Sequence, residues 1–224
     1  FVHDNVIFDY ITPMKGTRYN ISALGTPKLG DNGIGSVSGL LDYRTYFKIA
    51  DGYSFALRLA GGASFGPNPM RFYIGGVQNW INRDFENNNI PISNVEEYVF
   101  SQAGLPLRGF NYDAKSGSRY SILNAELRFP IIRYLILGLL PIGFQNIEGV
   151  AFVDAGTAWS DSDPLQLFTT DSQGKFVTND LLLGMGVGTR AIFLNLPLIF
   201  DVAWNYNLDK FSAPKYYISI GLDF

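Results

Sequence analysis

Side chains able to do chemistry are sparse in this chain, and their types argue against catalysis. The single histidine, His3, is the one conventional base for a serine-hydrolase triad, and it falls at the extreme start of a segment that otherwise reads as wall. There are no cysteines, so thiolate catalysis, disulfides and thiolate metal sites are all excluded. Asp161 and Asp163 could bind calcium together with loop carbonyls, but an acidic pair in a polar turn reads as solvated charge. No catalytic residue, cofactor or metal is expected. With a formal net charge of −3 and no basic cluster longer than a pair, nucleic acid is not an expected partner.

What the sequence does contain in quantity is apolar surface: 47% of its 224 residues are hydrophobic and 15% aromatic. A membrane-spanning helix needs about 20 consecutive apolar residues. The longest run, Tyr134 to Phe144, is only about half that length and is broken by Gly138, Pro141 and Gly143. Alternation is the dominant pattern instead. From Val37 to Ile49, Leu41, Tyr43, Phe47 and Ile49 share one parity, and Ser38, Asp42, Arg44 and Lys48 the other. Phe55, Leu57, Leu59, Ala63 and Phe65 similarly oppose Ser54, Ala56, Arg58, Gly62 and Ser64. Leu183, Met185 and Val187 oppose Gly184, Gly186, Gly188 and Arg190, and Leu198, Phe200, Val202, Trp204 and Tyr206 oppose Asp201, Ala203 and Asn205.

Nine candidate strands follow, at roughly 2–10, 17–25, 35–49, 53–65, 118–130, 147–159, 180–193, 197–208 and 215–224. Several exceed the five or six residues usual in soluble sheets. Their second faces mix Gly, Ala, Ser, Arg and Asp, as in a crowded wet lumen, which favours a transmembrane barrel over a soluble sandwich. Tyr53, Phe65, Trp159, Trp204, Tyr206 and Tyr216 are placed to form interfacial girdles. The links alternate between short (11–16, 50–52, 194–196) and long (26–34, 66–117, 160–179), the rhythm of periplasmic turns and extracellular loops. The exception is Ile131 to Gln145, a long apolar link expected to lie along the inner membrane interface. The expected fold is all-β, an antiparallel up-and-down transmembrane barrel occupying residues 1–224 as one domain. Loop 66–117 would be extracellular and fold into the lumen, and the C-terminus would be periplasmic.

The last strand carries its own signal. Tyr216, Ile218, Ile220, Leu222 and Phe224 share the lipid parity, Ser219, Gly221 and Asp223 the inward one, and an aromatic closes the chain. Few inward side chains are then available to hold this strand shut.

Three strings carry a family likeness: Leu107-Arg108-Gly109-Phe110, Asn124-Ala125-Glu126-Leu127-Arg128-Phe129-Pro130, and Phe152-Val153-Asp154-Ala155-Gly156. In order and placement they resemble the final barrel strands of the BamA/TamA-type outer-membrane insertase and translocase superfamily (bacterial surface antigen family). The resemblance implies that Arg108 stands at the tip of the lumen-inserted loop and pairs with Glu126 and Asp154 on the wall. Parity agrees, since Glu126 shares the inward set with Asn124 and Arg128, and Asp154 opposes Val153 and Ala155. A planar guanidinium can bond two carboxylates in fixed geometry, Gly109 permits a sharp turn against the wall, and Phe110 can wedge into a niche. Phe72-Tyr73-Ile74-Gly75-Gly76 resembles a family element that normally stands a few residues before the Arg-Gly-Phe string. Here Val77 to Leu107 intervene, with Trp80, Phe85, Asn87, Asn88, Asn89 and Tyr98 among them. Thr12 to Arg18 also matches the family pattern.

The resemblance covers the last strands of a barrel of about sixteen. An eight-strand barrel would be filled by its own side chains, with no room for a loop of this size, so further strands are expected before Phe1 or from a second chain, and the resemblance implies a periplasmic domain as well. The implied function is assistance to outer-membrane protein assembly or substrate translocation in a bacterial cell outer membrane. The implied partners are membrane lipid, substrate barrel proteins and periplasmic or lipoprotein subunits. Tyr216, Ile218, Ile220, Gly221, Leu222 and Phe224 would form the signal and seam strand. The alternative is an anchor or passive pore for a fused domain.

Overall fold

In the computed structural model the described residues are 1–9, 12–28, 30, 33–85, 101–137, 142–194 and 196–221, with backbone alone for 133–137 and 142–145. Phe224, Leu222, the asparagines at 87–89 and Tyr98 lie outside them. The chain is built from strands: β1 (Val2–Asp4), β2 (Ile7–Asp9), β3 (Thr12–Thr26), β4 (Ser36–Ala50), β5 (Tyr53–Phe65), β6 (Arg71–Ile74), β7 (Ser101–Leu105) and β8 (Lys115–Gly117). They continue with β9 (Arg119–Leu137), β10 (Ile142–Trp159), β11 (Phe168–Thr170), β12 (Phe176–Thr178), β13 (Leu182–Phe193), β14 (Leu196–Asn205) and β15 (Lys215–Ile220).

Ten of them form one antiparallel sheet in the order β1-β3-β4-β5-β9-β10-β13-β14-β15, with β2 also on β3. Sequence neighbours pair along most of it; the step from β5 to β9 is spanned by the 66–118 loop, that from β10 to β13 by a link carrying the separate β11-β12 pair, and β1 reaches β3 past β2. The sheet is strongly curled. Thr12 on β3 donates its hydroxyl hydrogen bond to the Glu148 carboxylate on β10, although three strands stand between them. Flat strands spaced about 4.8 Å apart could not bring those side chains together.

Alternation explains the faces. Val37, Leu41, Tyr43, Phe47, Leu59, Phe65, Leu123, Leu127, Val153, Val187, Phe200, Tyr216 and Ile218 are exposed on the outside, whereas Ser38, Ser54, Arg58, Asn124, Glu126, Arg128, Asp154, Arg190 and Asp201 are buried on the inside. A continuous apolar belt outside a polar interior suits a lipid surround, since soluble monomers rarely expose so large an apolar patch. Of the expected girdle, Tyr53, Phe65 and Tyr216 are exposed, and Trp159, Trp204 and Tyr206 half-buried.

Three sequence expectations are corrected. The segment 2–10 is two short strands, because the chain bulges opposite Gly16. There φ is +116° and a Cβ would stand 2.6 Å from the Asn5 carbonyl oxygen. Second, Thr12 to Gly16 belong to β3 rather than to a link. Pro13 is tolerated there because the register with β2 shifts between Ile7 and Phe8 beside it. Third, Ile131 to Gln145 is not an interfacial link: β9 and β10 run on as a paired hairpin as far as Leu137 and Ile142. A register shift between Ile147 and Glu148, with Asn146 in the left-handed region at φ 47°, flips the parity there and hides the alternation.

The 66–118 loop forms the core. Its strands β7-β6-β8 make a small sheet of their own, and Phe72, Ile74, Leu105 and Leu107 pack with Ala60, Tyr120, Ile122 and Ala158 of the wall. Full burial of side chains of this size is worth about 1.5–3 kcal/mol each. The lumenal face read from sequence as wet is here filled by the chain's own loop.

Candidate functional site: a loop locked to the barrel wall

The two ends of the intervening stretch after Gly76 are brought together. Gly76 and Leu107 exchange two backbone hydrogen bonds of 3.0 Å each, and the Gly75 N–H donates to the Leu105 carbonyl at 3.0 Å. The Phe72–Gly76 string is thus laid beside Leu105 and Leu107, although Val77 to Gly104 stand between them in the sequence. Gly75 is required for this approach: at φ +129° its Cβ would meet the Asn111 carbonyl oxygen at 2.4 Å.

Leu107, fully buried, delivers Arg108 to the wall. The guanidinium forks onto Asp154 through Nε (2.8 Å) and Nη2 (2.9 Å), while Nη1 donates to Glu126 Oε1 at 2.6 Å. The backbone N–H of Arg108 also donates to Asp154, at 3.0 Å. The Arg108 side chain is 6% exposed and both carboxylates 0%. Phe152 lies under the guanidinium, 3.6 Å from its carbon to the ring centroid, adding a cation–π contact.

The network extends beyond these three residues. Glu126 accepts from Arg128 Nε and Nη2 at 3.0 and 2.7 Å through its other oxygen. Asp201 lies 3.8 Å from Arg108 Nη1 and receives Arg190 at 2.5 Å. Farther round the wall, Arg58 joins Asp42 (2.8 Å) to Asn124 (3.4 Å). Buried charges are tolerable when each is paired and hydrogen-bonded, and this alternation of arginines and carboxylates meets that requirement.

The neighbouring turn is held by a residue the sequence reading passed over. Tyr217 on β15 is fully buried; its hydroxyl accepts from the Gly109 N–H at 2.8 Å and donates to the Phe110 carbonyl at 2.9 Å. Gly109 has φ +96°, and a Cβ there would stand 2.9 Å from the Trp204 carbonyl oxygen. Phe110 packs half-buried against the cluster containing Leu107. Tyr217 shares the inward parity of Ser219 and Gly221 and pairs with Asp201, so parity alone could have found it. The last strand therefore has a substantial inward anchor, contrary to expectation. Tyr217→Phe is expected to cost about 1–3 kcal/mol by leaving the buried Gly109 N–H unsatisfied, measured as a lower temperature for loss of the compact band in gel electrophoresis.

Residues 9–224 match the Omp85 superfamily domain. The chain belongs to the Omp85 superfamily. No curated protein matches it in sequence. Membership agrees with the architecture, an all-β barrel wall of the outer-membrane class, in which Arg108 is in contact with Glu126 and Asp154.

In this Omp85 domain the residues expected to form the signal and seam strand are placed differently from the Arg108 network. Tyr216, Ile218 and Ile220 point outward from β15, and Gly221 follows the strand with φ +146°. Leu222 and Phe224 fall outside the described residues. Residues offered by other readings have ordinary roles. His3 stacks on Tyr19 with centroids 4.9 Å apart. Asp161 receives Arg119 at 2.6 and 3.0 Å, and Asp163 bonds through its backbone to Ser160. Among the described residues no group of three or more His, Cys, Asp or Glu side chains could hold a metal ion.

Proposed function

We propose that this domain is the working barrel of a bacterial outer-membrane insertase or translocase, in which the docked loop braces the wall near a strand seam. The observation that carries it is the buried Arg108–Glu126–Asp154 network, which joins a long loop to β9 and β10 with every charge paired. No nucleotide, metal or covalent step is invoked; work of this kind draws on backbone pairing at a strand edge and on strain in the wall. Long loops would face outside and short turns the periplasm. Membrane lipid, substrate barrel proteins and periplasmic or lipoprotein subunits are the proposed partners. A lumen filled by packed side chains of the loop supports this reading over that of a passive pore.

The test is assembly of a substrate barrel protein by the full-length protein carrying Glu126→Ala. A several-fold slower assembly, with the variant still inserted in the membrane, is expected. Assembly and stability both equal to those of the unaltered protein would remove the bracing role.

A further inference from the structure

The apolar belt on the outside of the wall is hollowed at one place. In one lipid-facing row Leu127, Ala151 and Val187 stand opposite one another on β9, β10 and β13. In the next row Leu57, Ala125 and Val153 do so on β5, β9 and β10, continued by Met185 and Trp204 on β13 and β14. Each row thus has one alanine among large side chains, and the two alanines are diagonal neighbours. The resulting groove encloses about 750 Å³ between Phe55, Leu127, Val187 and Trp204, the size of a ligand pocket. All five strands have a paired neighbour on both sides, so the groove lies in continuous wall.

One end is closed by the link from β14 to β15, where Phe211 and Ser212 line it. That rim is fixed. The Phe211 ring stacks on Tyr206 with centroids 4.6 Å apart, the Ser212 N–H donates to the Asn205 carbonyl at 3.0 Å, and the Ser212 hydroxyl accepts from the Asn205 N–H at 3.0 Å. Among the described residues lining the groove, the side chains of Ser212 and Trp204 alone carry polar atoms. Water would find few partners there. Beside the rim, Lys210 precedes Phe211, and its Nζ is 3.9 Å from Asp209, which also receives Lys175 at 2.5 Å. The Lys210 side chain is 79% exposed and that of Lys175 is 49% exposed.

We propose that this groove is a binding site for one acyl chain of an anionic, phosphate-bearing membrane lipid, whose headgroup is held at Lys175 and Lys210. The groove opens on the belt that lipid already covers, so a chain enters it without leaving the bilayer. Its lining runs from β5 to β14, four strand spacings or roughly 19 Å, against about 15 Å for one leaflet's half of the hydrocarbon core. One chain fits along it. A chain lying in a groove touches protein on its sides as well as below, so it gains more dispersion contact than a chain on the flat belt. Two lysines against one aspartate leave the rim positive, which favours an anionic headgroup. The site needs only that the belt faces lipid, and it stands whether or not the domain assembles other proteins.

The experiment places the full-length protein in phospholipid vesicles containing phosphatidylglycerol with a photoactivatable diazirine midway along one acyl chain, and maps the adducts by mass spectrometry. Labelling of Met185 is expected to exceed several-fold that of Leu41 and Leu59, which are exposed on the same face away from the groove. Ala125→Leu with Ala151→Leu fills the groove from the lipid side and should bring Met185 down to the level of Leu41, with the compact band on gel electrophoresis retained. Lys175→Gln with Lys210→Gln should lower the enrichment by about fivefold or more, the worth of one or two basic residues beside an anionic headgroup. Phosphatidylcholine with the same tagged chain should be enriched less and be indifferent to the lysine changes. Uniform labelling of the belt, or enrichment at Met185 that survives both leucines in a compact protein, overturns the acyl site. Equal enrichment of the two lipids, or no response to loss of the lysines, overturns the headgroup contact.

Discussion

Arg108→Ala is expected to destabilise the loop-docked barrel by about 3–5 kcal/mol, because it removes one charge and strands two. Of its three hydrogen bonds from Arg108, Asp154 loses the two from the guanidinium and keeps only the one from the backbone N–H. Glu126 retains Arg128 but has one oxygen facing the vacated space. Arg108→Lys should recover only a part: a single ammonium cannot fork across Asp154 while reaching Glu126, nor lie flat on Phe152. The check is the temperature at which the compact form is lost on gel electrophoresis, together with protease access to residues 101–117. A variant with unaltered thermal behaviour and a protected loop would show that the network carries no structural load.

A larger mechanical effect is expected from one methyl group on the wall. At Gly184 a Cβ would stand 1.8 Å from the Arg108 carbonyl oxygen and 2.9 Å from its carbon, both backbone atoms. The wall cannot retreat, because Gly184 is paired with Asp154 on one side and Asn205 on the other. Gly184→Ala should therefore lift the loop, costing about 1–3 kcal/mol for overpacking plus the penalty of separating Arg108 from its carboxylates. Trypsin gives a direct reading, since Arg108 is itself a cleavage site that is now 5% exposed. New termini at Gly109 are expected in Gly184→Ala and not in the control Gly39→Ala, where a Cβ meets nothing within 4 Å. Equal protection of Arg108 in both variants would mean that the loop does not sit against this strand in the membrane.

These two residues mark what was legible in the sequence. Strand positions and the two faces follow from alternation, since side chains point to opposite sides at every step. Arg108, Glu126 and Asp154 were found through the family resemblance of the strings that hold them, with which the inward parity of the two carboxylates agrees. Gly184, Gly186 and Gly188 had the right face but the wrong reason: they read as wet lumen, whereas their missing side chains make room for the Arg108 backbone, the Phe152 ring and the Asp201 carboxylate. Tyr217 was passed over beside smaller inward neighbours. The length of β9 and β10 was hidden by a bulge that inverts parity partway along the hairpin.

The Tyr217 hydrogen bonds carry a consequence for the order of events in biogenesis. The wall groups that grip the Arg108 turn come later in the chain: Glu126, Asp154 and Asp201, and finally Tyr217, which is 108 residues beyond Gly109. The loop precedes the strands on which it docks, and its turn has all of these bonds only once the last strand has paired. A barrel arrested before β15 is expected to lack the Tyr217 bonds to the Gly109 turn, so greater protease access to residues 101–117 should distinguish unfinished barrels from finished ones.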